Sequence, residues 1–166
     1  MTAALEIRPA TRDDLPACAS LAVAESGGEP DAWRDRLGRE LHDPACLLLV
    51  ASLAGELVGY GRATWFEPPA DAPRDVAPRG YYLVGVVVAP RARRLGVGRA
   101  LTEARLAWIG DRAREAWYFA NVRNTASLDL HRRLGFVEVT RSFSYPEVTF
   151  EGGVGVLCRV RLPTWS

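Results

Sequence analysis

The stretch 81–101, YYLVGVVVAPRARRLGVGRAL, constrains this chain more than any other. It opens with an apolar, β-branched run at 83–88, the composition of a buried strand. Ala89-Pro90 breaks the strand, because proline has no N–H to give a ladder. A basic loop with Arg91, Arg93 and Arg94 follows, and Gly96-Val97-Gly98 leads into a helical pattern. A strand, a glycine turn and a helix N-terminus together make an anion site. The first helical N–H groups have no internal partner, and the positive end of the helix dipole stands behind them. Glycine lacks Cβ, so backbone can come close to a ligand and adopt positive φ. Arg93, Arg94 and Arg99 add formal charge, and a pyrophosphate fits such a place. Two other phosphate loops fail. Leu101 stands where G-x-G-x-x-G needs its third glycine, and the Gly-Lys-Ser/Thr end of a P-loop is absent. Glycines also serve plain strand–turn–helix connections, so on their own they decide nothing.

Hydrophobic periodicity places the other elements around this one. A short strand is expected at 6–8 and a helix from Asp13 to about Ala24, with Leu15, Cys18, Leu21 and Ala22 as its apolar stripe. Asp31 can cap a second helix to about Leu41. Strands at 46–53 and 57–66, joined at Ala54-Gly55, form a hairpin. The stretch 67–79, EPPADAPRDVAPR, carries four prolines and reads as a mobile loop. Val97, Leu101, Ala104 and Trp108 form the stripe of a helix ending near Ala113. A strand at 116–121, a helix from Asn124 to Gly135, a strand at 136–141, a loop at 142–153 and a last strand at 154–162 complete the chain. The order β-α-α-β-β-β-α-β-α-β-β points to one mixed α/β (α+β) domain over residues 1–166, with helices on both faces of the sheet.

Composition bounds the function. Net charge is +1, which offers no electrostatic case for nucleic acid or an anionic membrane. The longest apolar runs are far too short to span a bilayer, and MTAALEIRPAT has no signal-peptide core. All basic residues are arginine, so the protein cannot modify lysines of its own. Cys18, Cys46 and Cys158 are widely spaced in apolar settings, and with only His42 and His131 beside them no metal site is expected. The expectation is a cytoplasmic protein with reduced thiols.

Two motifs then resemble one family. Arg93-x-x-Gly96-x-Gly98, after Val86-x-Val88-x-Pro90, resembles the acyl-CoA signature of the GCN5-related N-acetyltransferase (GNAT) superfamily. Asn124, Ser127, Leu130, Leu134, Gly135 and Phe136 resemble its later element, N-x-x-A/S-x-x-L-Y-x-x-x-G-F. The resemblance covers essentially the whole chain. It implies a mostly antiparallel, twisted sheet of about seven strands with a splayed acyl-CoA cleft. It implies acetyl-CoA as co-substrate and a small-molecule or peptide amine as acceptor, with no metal, on a monomer or homodimer. Val86, Val87 and Val88 would meet the pantetheine amides. Arg93, Arg94, Leu95, Gly96, Val97, Gly98 and Arg99 would hold the pyrophosphate. Asn124 and Ser127 would contact the same molecule; Asn124 is also a natural N-cap.

The chain departs from the pattern at the catalytic positions. The family usually has a tyrosine where His131 stands, to protonate the departing thiolate. A phenol keeps its proton to about pH 10, whereas an ordinary imidazolium gives it up near about pH 6.5. Histone-type members carry a basic glutamate at the place of Tyr82, and members acting on ribosomal-protein N-termini carry one at the place of Phe119. Tyr82 and Tyr145 are the spare phenols. Trp33, Trp65, Phe66 and Tyr145 could line an acceptor pocket or simply pack a core. A non-catalytic acyl-CoA sensor on the same fold is the alternative function.

Overall fold

A computed structural model describes residues 4–163. Residues 1–3 of the N-terminal stretch and 164–166 at the end of the expected domain lie outside the described residues. The strands are β1 (Leu5–Pro9), β2 (Cys46–Leu53), β3 (Glu56–Phe66), β4 (Gly80–Val88), β5 (Glu115–Asn121), β6 (Val137–Thr140) and β7 (Gly155–Arg161). The helices are α1 (Leu15–Ser26), α2 (Pro30–Leu41), α3 (Val97–Gly110) and α4 (Thr125–Arg133). The strands form one seven-stranded sheet in the order β1-β2-β3-β4-β5-β7-β6. Antiparallel pairing prevails, and β4 and β5 run parallel at Tyr82–Trp117 and Leu83–Tyr118. The chain clusters into two compact units, residues 1–64 with 84–105, and residues 65–83 with 106–166.

In the first unit β2 is apolar on both faces, and successive residues feed different clusters. Leu48 and Val50 pack with Cys18, Ala22, Leu37 and Tyr60, while Leu49 and Ala51 pack with Val58, Ala92, Val97 and Leu101. The unbroken run at 46–51 is thus a two-sided strand. Helix α2 starts at Pro30 with Glu29 as its N-cap, two residues ahead of the expected Asp31 cap. Proline's fixed φ suits the first helical position, where its missing N–H costs nothing. Trp33 joins the core and donates its indole N–H to the Gly27 carbonyl at 2.8 Å, fixing the α1–α2 connection. Helix α1 begins at Leu15 after a 3-10 turn, where the Asp14 carboxylate accepts the Thr11 N–H at 2.8 Å and both guanidinium arms of Arg8.

Helix α3 presents a different stripe from the expected one. Val97 and Leu101 are buried as predicted, but below them Arg105 and Ile109 are buried, and Ala104 and Trp108 are only partly covered. An arginine inside the stripe hides it from a hydrophobicity pattern. The helix also ends at Gly110, three residues short of Ala113, in a tight turn onto the Ile109 carbonyl.

In the second unit β5 pairs with β7 along its whole length, from Glu115–Arg161 to Asn121–Gly155. The proline-rich stretch 67–79 is a loop, as expected, and it is tied down here. Ala77 is fully buried, its N–H donates to the Ser144 carbonyl at 2.8 Å, and the Ser144 N–H donates to the Asp75 carbonyl at 2.9 Å. Ala77 precedes Pro78, and a residue before proline is driven to extended backbone, which is what strand-like pairing needs. Among the described residues no helix is long and apolar enough to cross a membrane.

Candidate functional site

The glycine loop belongs to the first unit. Strand β4 leaves the regular pleat at Gly85, whose φ is +53°; a Cβ there would lie 2.9 Å from Arg62 Nη1. That guanidinium is anchored by the Glu40 carboxylate, with Nε donating to Oε2 at 2.6 Å. After this interruption Val86 is exposed and Val87 and Val88 are half-buried. The sequence signal for Gly85 is one glycine inside a β-branched run, outside both motifs.

Ala89 ends the strand by donating to the Val58 carbonyl at 2.8 Å, and a 3-10 turn over Pro90–Ala92 buries Ala92. The chain then turns through two left-handed residues, Arg94 at φ +66° and Gly96 at φ +81°. A non-glycine residue in that region is strained, and alternating hands orient successive N–H groups into an anion-binding concavity. Open space surrounds the Cβ position of Gly96, and α3, 14 residues long, starts at the next residue. The loop side chains Arg93, Arg94, Leu95 and Arg99 are exposed, and Val97 beneath them is buried. Arg93 reaches the Val88 carbonyl at 3.4 Å and Glu25 at 3.3 Å, and Arg99 pairs with Glu103 at 2.6 Å. Open space, N–H donors and arginines together suit a pyrophosphate.

The later motif lies in the second unit. Asn124 accepts the Ser127 N–H with its side-chain oxygen at 3.3 Å, so it does cap α4; the cap leaves its two amide donors uncommitted to the helix. Ser127 shares a short hydrogen bond with the Tyr118 hydroxyl. His131 is 2% exposed, and its Nδ1 lies 2.7 Å from the Ser127 carbonyl. A carbonyl only accepts, so Nδ1 carries the proton there. The expected polar face of Asn124, Ser127 and His131 exists, and its last two members pack against β5.

Tyr82 is fully buried and its hydroxyl donates to the Pro78 carbonyl at 2.7 Å. Burial pushes its phenol far above the ordinary value. Its ring belongs to an aromatic cluster with Phe66, Trp117, Phe119 and Tyr145, in which Phe66 and Tyr145 approach to 4.4 Å. Trp65 meets Tyr81 edge-on at 5.0 Å. All three thiols are free. Burial pushes Cys18 up to about 12 and raises Cys46 and Cys158. Among the described residues no three His, Cys, Asp or Glu side chains gather to hold a metal.

The chain belongs to the acetyltransferase (GNAT) family, whose model matches residues 8–136. It is 31% identical over 147 residues to the mycothiol acetyltransferase of Salinispora arenicola (strain CNS-205), a match of 83% of this chain and 45% of that protein. It is 31% identical over 102 residues to the mycothiol acetyltransferase of Arthrobacter sp. (strain FB24), covering 61% of this chain and 30% of that protein. The chain thus spans less than half the length of these relatives. Among solved structures it resembles the ribosomal-protein-alanine N-acetyltransferase from Brucella melitensis, at TM-score 0.73 and 26% identity over 95% of this chain and 99% of that one.

Proposed function

We infer that this chain is an acyl-CoA-dependent N-acetyltransferase, which moves the acetyl group of acetyl-CoA to a primary amine by direct attack in a ternary complex. The observation that carries the reading is the glycine loop: left-handed Arg94 and Gly96, open space above Gly96, and a long helix starting at Val97. Backbone N–H groups from Arg94 to Arg99 bind the pyrophosphate. The exposed backbone at Val86 to Val88 pairs with the pantetheine amides, and one N–H there polarises the thioester carbonyl. The resemblance gives Asn124, through its amide donors, and Ser127, through its hydroxyl, a co-substrate role as well.

The neutral amine supplies the electron pair that forms the C–N bond. The C–S bond breaks, the sulfur takes a proton, and the amine gives one up to water. His131 is the acid in this reading. Its Nδ1 proton is held by the Ser127 carbonyl, so any proton it gives up would leave from Nε2, a buried ring nitrogen. Tyr82 keeps its proton far above neutral pH, which argues against base catalysis and leaves it the spare phenolic acid, with its hydroxyl donating to the Pro78 carbonyl. The raised thiols favour direct attack over an acyl-cysteine. Three free thiols also suit a reducing cytoplasm.

The relatives' names differ, a mycothiol acetyltransferase in one case and a ribosomal-protein-alanine N-acetyltransferase in another, so the amine has to be found by assay. The test is calorimetry with acetyl-CoA, followed by CoA release over amino sugars, peptide N-termini, polyamines and amino acids. Acetyl-CoA binding without turnover of any amine favours the second reading, an acyl-CoA sensor. The Tyr82–Pro78 bond and the phenyl ring of Phe119, at the places where the resemblance puts carboxylates in histone-type members and in members acting on ribosomal-protein N-termini, are the observations on its side.

A further inference from the structure

A buried chain of hydrogen bonds runs beneath the first turn of α3. Thr102 Oγ1 donates to the Gly98 carbonyl at 2.7 Å. Arg105 Nη2 donates to Thr102 Oγ1 at 2.9 Å, its Nε to the Leu101 carbonyl at 3.2 Å, and its Nη1 to the Arg62 carbonyl on β3 at 2.9 Å. Thr102 is 0% exposed and Arg105 is 1% exposed. Gly61 on β3 leaves the space for this guanidinium. A Cβ at Gly61 would stand 3.1 Å from Arg105 Nε and 3.3 Å from Cδ and Cζ, among the closest contacts a real Cβ makes.

The chain ends on a peptide unit that matters for an anion. The Gly98 carbonyl and the Arg99 N–H lie on one planar peptide, so fixing one fixes the other. Arg99 is the third residue of α3, and the N–H of a third helical residue has no partner inside the helix. Holding the Gly98 oxygen from inside therefore aims the Arg99 donor outward. A threonine hydroxyl on the carbonyl four residues back also tilts that carbonyl from the helix axis.

We propose that Thr102 and Arg105 are positioning residues for the acyl-CoA pyrophosphate, bracing the first turn of α3 through the Gly98 carbonyl in a space kept open by Gly61. The inference rests on the acyl-CoA reading of the glycine loop. Neither side chain touches the ligand, and their effect is confined to donors that point at the pyrophosphate.

The test compares wild type, Thr102→Val, Thr102→Ser and Gly61→Ala. CoA affinity is measured by calorimetry, and kcat/KM is measured with acetyl-CoA and with S-acetylpantetheine, which has the same thioester and pantetheine amides but no pyrophosphate. Thr102→Val should weaken CoA binding about three- to tenfold, the worth of roughly one ordinary hydrogen bond. Thr102→Ser should restore wild-type affinity. Gly61→Ala, which reaches the guanidinium from β3 without altering α3, should reproduce the loss. With S-acetylpantetheine all four proteins should agree within about twofold. Equal losses with both donors, or unchanged CoA affinity in Thr102→Val and Gly61→Ala, would overturn the proposal while leaving the acyl-CoA site standing. Absence of CoA binding by the wild type would overturn both readings. CoA binding without turnover would sink the transferase reading alone, and the calorimetric series would still decide this one.

Discussion

The imidazole of His131 lies flat on the ring of Tyr118, with centroids 3.5 Å apart and planes 5° from parallel. The same imidazole is held by the Ser127 carbonyl, and Ser127 is held by the Tyr118 hydroxyl, so β5 and α4 close a small polar ring. A phenol in place of the imidazole would have no Nδ1–H for that carbonyl. If His131 is the acid, His131→Phe should lower kcat by about 10²-fold, the low end for general acid catalysis, with KM for acetyl-CoA little changed. His131→Tyr should regain activity and extend it to higher pH, because a phenol keeps its proton there. Three overlapping pH–rate profiles would make His131 a packing residue.

Gly96→Val should abolish acetyl-CoA binding. The site of the new side chain is open space, so no clash protects it from entering the region assigned to the pyrophosphate, and valine resists a φ of +81°. Calorimetry showing wild-type affinity would remove the site assignment.

Asn124→Ala separates the two roles of that residue. Loss of the cap bond to the Ser127 N–H should cost about 1 kcal/mol of stability, read as a lower melting temperature without ligand. If the amide also binds the co-substrate, acetyl-CoA affinity should fall by about another 1 kcal/mol under conditions where the variant is fully folded. An affinity equal to wild type would leave Asn124 a cap alone.

The Arg8–Asp14 pair should make the fold acid-sensitive. The hydrogen bonds from Arg8 hold the Asp14 carboxyl down at about 2, against an ordinary value near 3.8. The folded value lies below the unfolded one, so the contribution is complete above about pH 4 and fades as pH falls towards 2. At neutral pH it is worth about 2 kcal/mol at most. Asp14→Asn should flatten the dependence of melting temperature on pH over that window; an unchanged slope would show that other carboxylates control it.

Thiol reagents should find one cysteine first. Cys46 is half-buried and bonded to Thr64 at 3.2 Å, while Cys18 and Cys158 are buried. At pH 7.5 a maleimide should label Cys46 ahead of the other two, and slowly, because burial raises its thiol as well. Rapid labelling of Cys18 in native buffer would contradict the burial-raised value of about 12.

The amino-acid order alone determined the seven strands, the four helices and both family motifs, because those signals are local. β-Branched runs, glycine turns and proline stops act within a few residues of themselves. The glycine loop was readable for the same reason: its N–H groups, its left-handed turn and its arginines are contiguous from Arg93 to Arg99. What only the tertiary structure decided depends on residues distant in the chain. Arg105 looks like a surface residue of an amphipathic helix until Arg62 offers its carbonyl and Gly61 makes room from β3. The prolines of 67–79 look like a free loop until Ser144, some seventy residues on, pairs with Asp75 and Ala77. His131 and Tyr82 look like two exchangeable proton carriers until Ser127 and Pro78 claim one hydrogen bond from each. Periodicity reports which face of an element is apolar. It carries no record of which distant carbonyl will meet a buried donor, and that meeting sets both the burial of Arg105 and which nitrogen of His131 the Ser127 carbonyl holds.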